Sequence, residues 1–343
     1  MSGPPTPRTP GAEPAPGPTP GSAPADGAAT SAASGTAGDR PGRGSSSGAR
    51  RLHRPAGQGA RSSVLPGTLF LLALVGAPLV VVVAYSFLSR GMFGVGVAGP
   101  FSVDSYVRLL FDTQLDGSKT FDPRYIGVFW QSIWLAALTT VCCAVLAFPM
   151  AVWMATRSPR TRALLVFAVT IPFWTNTLVR TYAWVLILND NGPVSGLLGT
   201  PIELLYTPFA TAVGLVYVSL PFMILPVYSS AEKFDFRLAE AAYDLGARRL
   251  TVLRRVVYPA VRPGLVAGVV LVFIPSLGAF LQPQLLGGGK SLMIGNLIEQ
   301  QFGASRNWPL GSAVAVALLV LTLLTLMGFA LAGRRGDQKV SLM

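Results

Sequence analysis

Six long apolar stretches constrain this chain more than any other feature of its sequence. The hydrocarbon core of a membrane is about 30 Å thick, and a helix of about 20 apolar residues crosses it. Each stretch is long enough, so we expect an all-α membrane protein with six transmembrane helices. The predicted spans are Val64–Leu88, Val128–Ala155, Ala163–Leu188, Phe209–Tyr228, Leu265–Leu286 and Leu310–Ala332.

The composition supports a membrane protein, and the charge distribution predicts its orientation. Hydrophobic residues make up 51% of the chain and charged residues only 12%, whereas soluble domains are about 25% charged. Most of the 27 Lys and Arg residues lie before the first span or after the second, fourth and sixth spans. Because cytoplasmic segments are enriched in Lys and Arg, both termini are predicted to be cytoplasmic. This asymmetry accounts for the net charge of +12, so we do not predict nucleic-acid binding.

The regions outside the spans differ in composition. Residues 1–61 are rich in Gly, Pro, Ala and Ser, and we expect them to form a disordered cytoplasmic tail. The membrane domain is predicted over 62–335, and a cytoplasmic C-terminal tail over 336–343. The first connection should form one or two short helices around Asp104–Leu110. Four arginines near the end of the first tail indicate either attraction to anionic lipid or a topology signal: Arg50, Arg51, Arg54 and Arg61.

Residues suited to catalysis or metal binding are scarce. Cys142 and Cys143 are adjacent within a span, and His53 is the only histidine. A disulfide framework, a metal site and histidine-based hydrolysis are therefore not expected, and no cofactor is predicted. The chain also lacks the Gly-x-x-x-x-Gly-Lys-[Ser/Thr] phosphate loop, so we do not expect it to be an ATPase or another enzyme.

A charged segment between the fourth and fifth spans contains Glu-Ala-Ala-Tyr-Asp-Leu-Gly over residues 240–246. Leu238, Ala241, Ala242 and Leu245 have the spacing of one face of a short helix. The alanines would allow another protein to approach the backbone closely. Gly246 can adopt the left-handed conformation that ends such a helix.

A second amphipathic stretch follows this short helix. Its apolar residues are Leu250, Leu253, Val256 and Val257, and its polar side carries Arg254 and Arg255. Pro259 and Pro263 are expected to redirect the chain into the fifth span. The alternative interpretation of the whole segment is an ordinary amphipathic loop with a chance match to a short motif.

The third span contains unusual polar residues. Asn176 and Arg180 are four apart, as are Thr177 and Thr181, which places these side chains on one helical face. A charge inside a span is costly and usually faces a bundle interior or a watery cavity, which favours a functional role. Arg180 could instead extend to the membrane interface and serve only topology.

Aromatic residues in the spans have two interpretations. They could hold a cation through the faces of their rings, or they could simply pack in the core or at the interface. No span has a carboxylate in its interior. The aromatic residues concerned are Trp174, Tyr182, Trp184, Tyr217 and Phe280.

These patterns resemble a known family. Residues 240–246 with Pro259 resemble the EAA loop of ABC-importer permeases, and residues 172–182 resemble the first permease subunit of spermidine/putrescine importers. The resemblance covers about 62–335. It is carried further by Gly214–Tyr217, Leu220–Met223, Tyr228–Ser230, Leu285–Gly288 and Asn307–Pro309.

The resemblance implies a type I importer fold and a set of partners. The EAA loop would dock on cytoplasmic ABC ATPase subunits, a second permease subunit would complete a heterodimer, and an extracytoplasmic substrate-binding protein would deliver the substrate. ATP binding would turn the permease outward and hydrolysis would reset it. The implied coupling residues are Glu240, Ala241, Ala242, Asp244, Gly246 and Pro259. The candidate pathway residues are Trp174, Asn176, Thr177, Arg180, Thr181, Trp184, Tyr217 and Phe280.

Some alternatives stay open at this point. Ala279 stands where some polyamine permeases carry an acid, so an importer of another small solute is the alternative within the family. A transporter driven by an ion gradient would need titratable groups near mid-membrane, and Arg180 cannot relay protons. A membrane-embedded enzyme would need the catalytic groups that the spans lack.

Overall fold

The computed structural model describes residues 59–91, 97–113, 119–198 and 203–340. The predicted first tail lies outside the described residues up to position 58. Thirteen α-helices are described: α1 Gly59–Ser86, α2 Asp104–Val107, α3 Arg124–Ala155, α4 Pro159–Thr170, α5 Thr177–Leu188, α6 Pro193–Leu198, α7 Pro208–Glu232, α8 Arg237–Asp244, α9 Arg249–Val252, α10 Tyr258–Leu277, α11 Leu281–Gly287, α12 Ile294–Phe302 and α13 Trp308–Val340.

Two short antiparallel hairpins accompany the helices. Strand β1 (Leu88–Arg90) pairs with β2 (Val97–Phe101), and β3 (Phe111–Thr113) pairs with β4 (Lys119–Phe121). Both lie in the first connection, together with α2. The sequence predicted a short helix there but not the hairpins, because strands of three to five residues leave little alternation to detect.

The structure is consistent with the predicted number of spans. Five described helices are long and apolar enough to cross a membrane, and the number is six when the bent pair Pro159–Trp174 and Thr177–Leu197 is counted as one broken span. The first, second, fourth and sixth spans agree with prediction to within several residues at each end. Among them, α1 begins at Gly59, earlier than the expected Val64, and α13 extends to Val340 into the predicted second tail.

The third span is not the continuous helix that the sequence predicted. Helix α4 passes into a 3₁₀ turn over Ile171–Trp174, and the two halves of the span meet at 91°. Pro172 has no N–H for the helical ladder, which favours a break at this point. The chain then restarts as α5, where the Asn176 side chain accepts a hydrogen bond from the N–H of Leu178 at 2.8 Å. Asn176 is therefore a helix cap rather than a mid-helix residue.

The fifth span is also displaced from its predicted bounds. A continuous helical stretch runs from Arg249 to Leu277, and Leu281–Gly287 forms a separate helix. The expectation that Pro259 and Pro263 redirect the chain is wrong. A π turn over Leu253–Val257 ends two residues before Pro259. The wider turn makes room for the proline ring, which in a regular α-helix would clash with the carbonyl of Arg255.

Helices α3, α7 and α10 form the centre of the bundle. Small residues let their backbones approach closely, as is usual between membrane helices. A Cβ atom on Gly264 or Gly268 of α10 would collide with α7. Helices α1 and α13 pack against each other, and most of the apolar side chains described on α1 are exposed, as expected of a lipid-facing helix. Buried residues of the central cluster include Cys143, Ala147, Ala151, Met223, Val227, Ala231, Val261 and Val272.

Candidate coupling surface and pathway residues

One face of helix α8 packs on the bundle, and the opposite face is exposed. Ala239 is buried in the central cluster, and Ala242 packs against it. Residues on the remaining faces are exposed, and Leu245 reaches 89% exposure. We call this exposed set the α8 surface; it comprises Leu238, Glu240, Ala241, Tyr243, Asp244 and Leu245. Of the two predicted alanines, Ala241 is exposed and Ala242 is only partly exposed, because Ala242 packs on the bundle.

Gly246 ends α8 in the way the sequence predicted. Its φ of +82° lies in the left-handed region, where only glycine is free of strain. Its N–H donates to the carbonyl of Tyr243 at 2.8 Å, and the N–H of Ala247 donates to that of Ala242 at 3.1 Å. These two bonds form a Schellman motif. Ala247 and Ala242 also both pack on the central cluster, which directs the chain back toward the bundle.

A groove of about 590 Å³ runs beside α8. Its walls come from Val152 and Thr156 near the end of α3, from α8, and from Leu250 and Leu253. The lining is largely apolar, with Glu240 and Arg249 as charged residues. Pro259 does not line this groove, because it lies beyond the π turn in the first turn of α10. The structure thus brings five of the six predicted coupling residues together on α8 and its cap.

The break in the third span places Arg180 in the first turn of α5. One terminal nitrogen of its guanidinium donates to Thr177 Oγ1 at 3.1 Å, and the group lies 5.9 Å from the centre of the Tyr217 ring on α7. Tyr217 in turn makes an edge-to-face contact with Trp184, at 5.6 Å between ring centres. We call Thr177, Arg180, Trp184 and Tyr217 the Arg180 cluster.

The charge of Arg180 is only partly satisfied within the chain. Its Nε atom is buried and donates to no described acceptor. No described carboxylate forms an ion pair with it. Leaving a buried donor without an acceptor costs about 1–3 kcal/mol, and more when the donor is charged. An acceptor from outside this chain would remove that cost.

Other predicted pathway residues lie apart from this cluster. Trp174 is 84% exposed at the break, and Phe280 is half exposed at the start of α11. Thr181 is only 2% exposed, and its hydroxyl donates back to the Thr177 carbonyl at 2.8 Å. The four polar residues therefore do not form one stripe. Asn176 caps α5, Thr181 is buried, and Thr177 and Arg180 belong to the Arg180 cluster.

A second cavity, on the side of the bundle opposite α8, was not found from the sequence. It measures about 780 Å³. Arg90 in its wall donates to the carbonyl of Ser305 at 2.9 Å, and Arg124 pairs with Asp122 at 2.7 Å. Its charged lining residues are Arg90, Arg108, Arg124 and Asp122, and we call it the arginine cavity. These residues lie far apart in sequence from Gln300 and Gln301, which complete the wall, so no local pattern revealed it.

Metal chemistry finds no support in the described ranges. Among the residues that the structure describes, no group of three or more His, Cys, Asp or Glu side chains is placed to hold a metal ion.

Comparison with known proteins identifies the family. The family model described as "binding-protein-dependent transport system inner membrane component" matches residues 147–335. The spermidine/putrescine transport system permease protein PotB of Haemophilus influenzae is 40% identical over 279 residues, which cover 80% of this chain and 93% of that protein. PotB of Escherichia coli is 38% identical over 279 residues, covering 80% and 97% respectively.

A solved structure shows the same fold. It is a chain of a bacterial alginate ABC transporter in complex with an alginate pentasaccharide-bound periplasmic protein. The TM-score is 0.64 at 15% identity, with 80% of this chain and 94% of that chain covered.

The chain belongs to the family of inner membrane components of binding-protein-dependent transport systems. It is a multi-pass permease of the type I ABC-importer fold. Its relatives are transport components rather than enzymes.

Proposed function

We propose that this chain is one permease subunit of an ATP-driven importer of polyamines such as spermidine and putrescine. Its chief support is the 40% identity to a permease named for these solutes, which extends over 93% of that protein. An alignment that covers 80% of this chain necessarily includes both the coupling segment and the third span.

The α8 surface is the proposed contact with a cytoplasmic ABC ATPase. It combines exposed apolar side chains with the carboxylates Glu240 and Asp244, and a groove lies beside it. Exposed apolar side chains next to a groove are typical of a protein interface rather than of a solvated loop. With α8 on the cytoplasmic side, both termini are cytoplasmic as well, in agreement with the distribution of Lys and Arg.

The Arg180 cluster is the proposed gate of the translocation pathway. The ring faces of Trp184 and Tyr217 suit a cationic solute, whereas a fixed guanidinium repels one. We infer that a second permease subunit supplies a carboxylate to Arg180 in the closed state, which would also satisfy its buried Nε. The pair would act as a latch, and the exposed predicted pathway residues, Trp174, Asn176 and Phe280, would line the route around it, whereas Thr181 is buried behind them.

The arginine cavity bears on how the substrate arrives. Three guanidinium groups and one carboxylate line it, so its charge disfavours a dication. A polyamine released by an extracytoplasmic binding protein would therefore pass to the bundle centre rather than settle in this cavity.

Uptake by the assembled transporter tests the substrate. The full complex, with its ATPase, second permease and binding protein, should import radiolabelled spermidine into proteoliposomes only when ATP is supplied. Unlabelled putrescine should compete, and an inorganic anion should not. The absence of ATP-dependent spermidine uptake would contradict the proposal. Uptake that excess unlabelled polyamine does not inhibit would contradict it as well.

An anionic solute is the second candidate. Arg180 has no ion-pair partner among the described residues, and the spans carry no interior carboxylate. The same proteoliposomes, tested with a labelled anion such as sulfate in place of spermidine, separate the two candidates, because an anion importer would take up the anion and not spermidine.

A further inference from the structure

Arg162 joins the ends of three helices. It lies in the first turn of α4, and its Nη2 donates to the carbonyl of Ala155, the last residue of α3, at 2.6 Å. Its Nη1 donates to Glu232 Oε1 at 3.1 Å. Glu232 is the last residue of α7. The sequence marked Arg162 only as one of the basic residues that set the topology.

The chemistry of these contacts suits arginine in particular. The last carbonyls of α3 have no partner within the helix and carry a partial negative charge, which favours a cation. The planar guanidinium fork reaches a carbonyl and a carboxylate at once in a fixed geometry, whereas a lysine ammonium is a single point charge. Arg162 therefore holds three helix ends at defined separations.

Stability alone does not account for this arrangement. The side chain of Arg162 is 27% exposed and that of Glu232 is 43% exposed. Ion pairs that are open to solvent add little to folding stability. What the ion pair of Arg162 with Glu232 does is fix the position of α4 relative to α7.

The end of α7 is tied closely to α8. Between the two helices, the rings of Phe234 and Phe236 meet edge to face at 5.1 Å, and both pack against the central cluster. The N–H of Phe234 donates to the Ala231 carbonyl at 3.2 Å. The short connection between Glu232 and α8 is thereby packed on the bundle.

The other partner, α4, leads to the Arg180 cluster. Leu165, Val166 and Val169 hold α4 against the central cluster. The span then bends by 91° into α5. A shift of the α4 start relative to α7 therefore changes the position of α5 against Tyr217.

We propose that Arg162 is a positioning residue for transport, which passes movement of the α8 surface to the broken third span through its bonds to Glu232 and Ala155. This rests on the proposed role of α8 in coupling. The pair of Arg162 and Glu232 does not contact the substrate. It determines whether ATP hydrolysis is coupled to movement of the broken third span.

The ratio of solute imported to ATP hydrolysed tests the role in proteoliposomes that contain the full complex. Arg162→Ala should lower uptake at least about tenfold while ATP hydrolysis persists. Glu232→Gln should act in the same direction, and the double variant should be no worse than Arg162→Ala, because residues that act as one unit are not additive. Arg162→Lys should be intermediate. Arg160→Ala, an exposed arginine of the same helix turn, is the matched control and should keep the wild-type ratio.

Two results would overturn the role. One is a parallel fall of uptake and ATP hydrolysis in Arg162→Ala at equal amounts of complex, since a purely structural residue leaves the ratio unchanged. The other is full additivity of the two single variants.

A distance measurement keeps this test separate from the substrate. Spin labels at Arg237, which lies on α8 outside the α8 surface, and at Leu178, both exposed, should change their separation when ATP binds, in a chain whose native cysteines are replaced by alanine. Arg162→Ala should abolish the change. An unaltered change in Arg162→Ala would contradict the positioning role, whereas missing polyamine uptake by the wild type would contradict only the proposed substrate.

Discussion

The α8 surface is built from residues close in sequence, on one helix and its cap, whereas the Arg180 cluster joins α5 and α7 across a long connection. The first is exposed and its candidate partner lies outside the chain. The second is half-buried, and its rings and guanidinium contact one another within the chain. A docking surface needs a local shape, which neighbouring residues provide. A gate needs groups from elements that move relative to each other, which a single helix cannot supply.

The two regions also differ in how they tolerate change. Side chains of the α8 surface contribute little to the core, so their substitution should affect docking rather than folding. The buried Nε of Arg180 has no acceptor among the described residues, so its environment is costly within this chain. Variants in the two regions should therefore fail at different steps.

The largest effect is expected at Gly246. Gly246→Val places a β-branched residue at φ +82°, which costs about 1–2 kcal/mol or more and disturbs the end of α8. No atom would crowd the new Cβ, so the backbone alone is responsible. Uptake and co-purification of the ATPase should fall at least about tenfold. Gly127→Val, at an uncrowded glycine of α3 without positive φ, is the control, and equal losses in both variants would exclude a specific role.

Glu240→Lys should act at the same step through charge. The carboxylate is exposed beside the apolar groove, so inversion changes the docking surface without removing a buried contact. We expect normal membrane abundance and a loss of ATPase association that is measurable by co-purification. Asp190→Lys on the opposite side of the bundle should have no such effect. Full association of the Glu240 variant would remove the α8 surface from the coupling site.

Variants of Arg180 test the Arg180 cluster, the second of the two regions compared. Arg180→Ala should leave ATPase association intact but lower uptake per assembled complex by about tenfold, or uncouple ATP hydrolysis from uptake. Arg180→Lys should keep part of the function if charge alone matters. Near-normal uptake by Arg180→Ala would mean that the residue only extends to the interface and serves topology.

Tyr217 should show a smaller effect in the same region. Tyr217→Leu removes the ring face from Arg180 and Trp184, and we expect uptake to fall by about twofold to fivefold, in line with cation–π contacts of about 0.5–1 kcal/mol. Tyr217→Phe keeps the ring and is the matched control. Equal uptake by both variants would show that the ring has no role beyond packing.

The smallest effect is expected outside both regions. Deletion of residues 1–45 should leave uptake nearly unchanged, because Arg50, Arg51, Arg54 and Arg61 remain before the first span. Uptake is compared at equal membrane abundance. A loss of uptake in the deletion would reveal a direct role of this segment.

Local features of the sequence determined much of this protein. The number of spans follows from the length and apolarity of each stretch, which a membrane imposes on any helix. The end of α8 follows from Gly246, because the left-handed backbone there is a property of one residue type. The proposed docking surface on α8 could be predicted for the same reason, since a short helix brings residues that are near in sequence together in space.

Only the tertiary structure decided the rest. The break after Pro172 and the continuous helix through Pro259 are opposite outcomes for one residue type, and they depend on the turns around each proline. The bonds of Arg162 to Ala155 and Glu232, the contact of Arg180 with Tyr217, and the arginine cavity all join residues from separate elements. Such contacts arise from the packing of helices against one another, and periodicity within a single helix carries no information about which helix will face it.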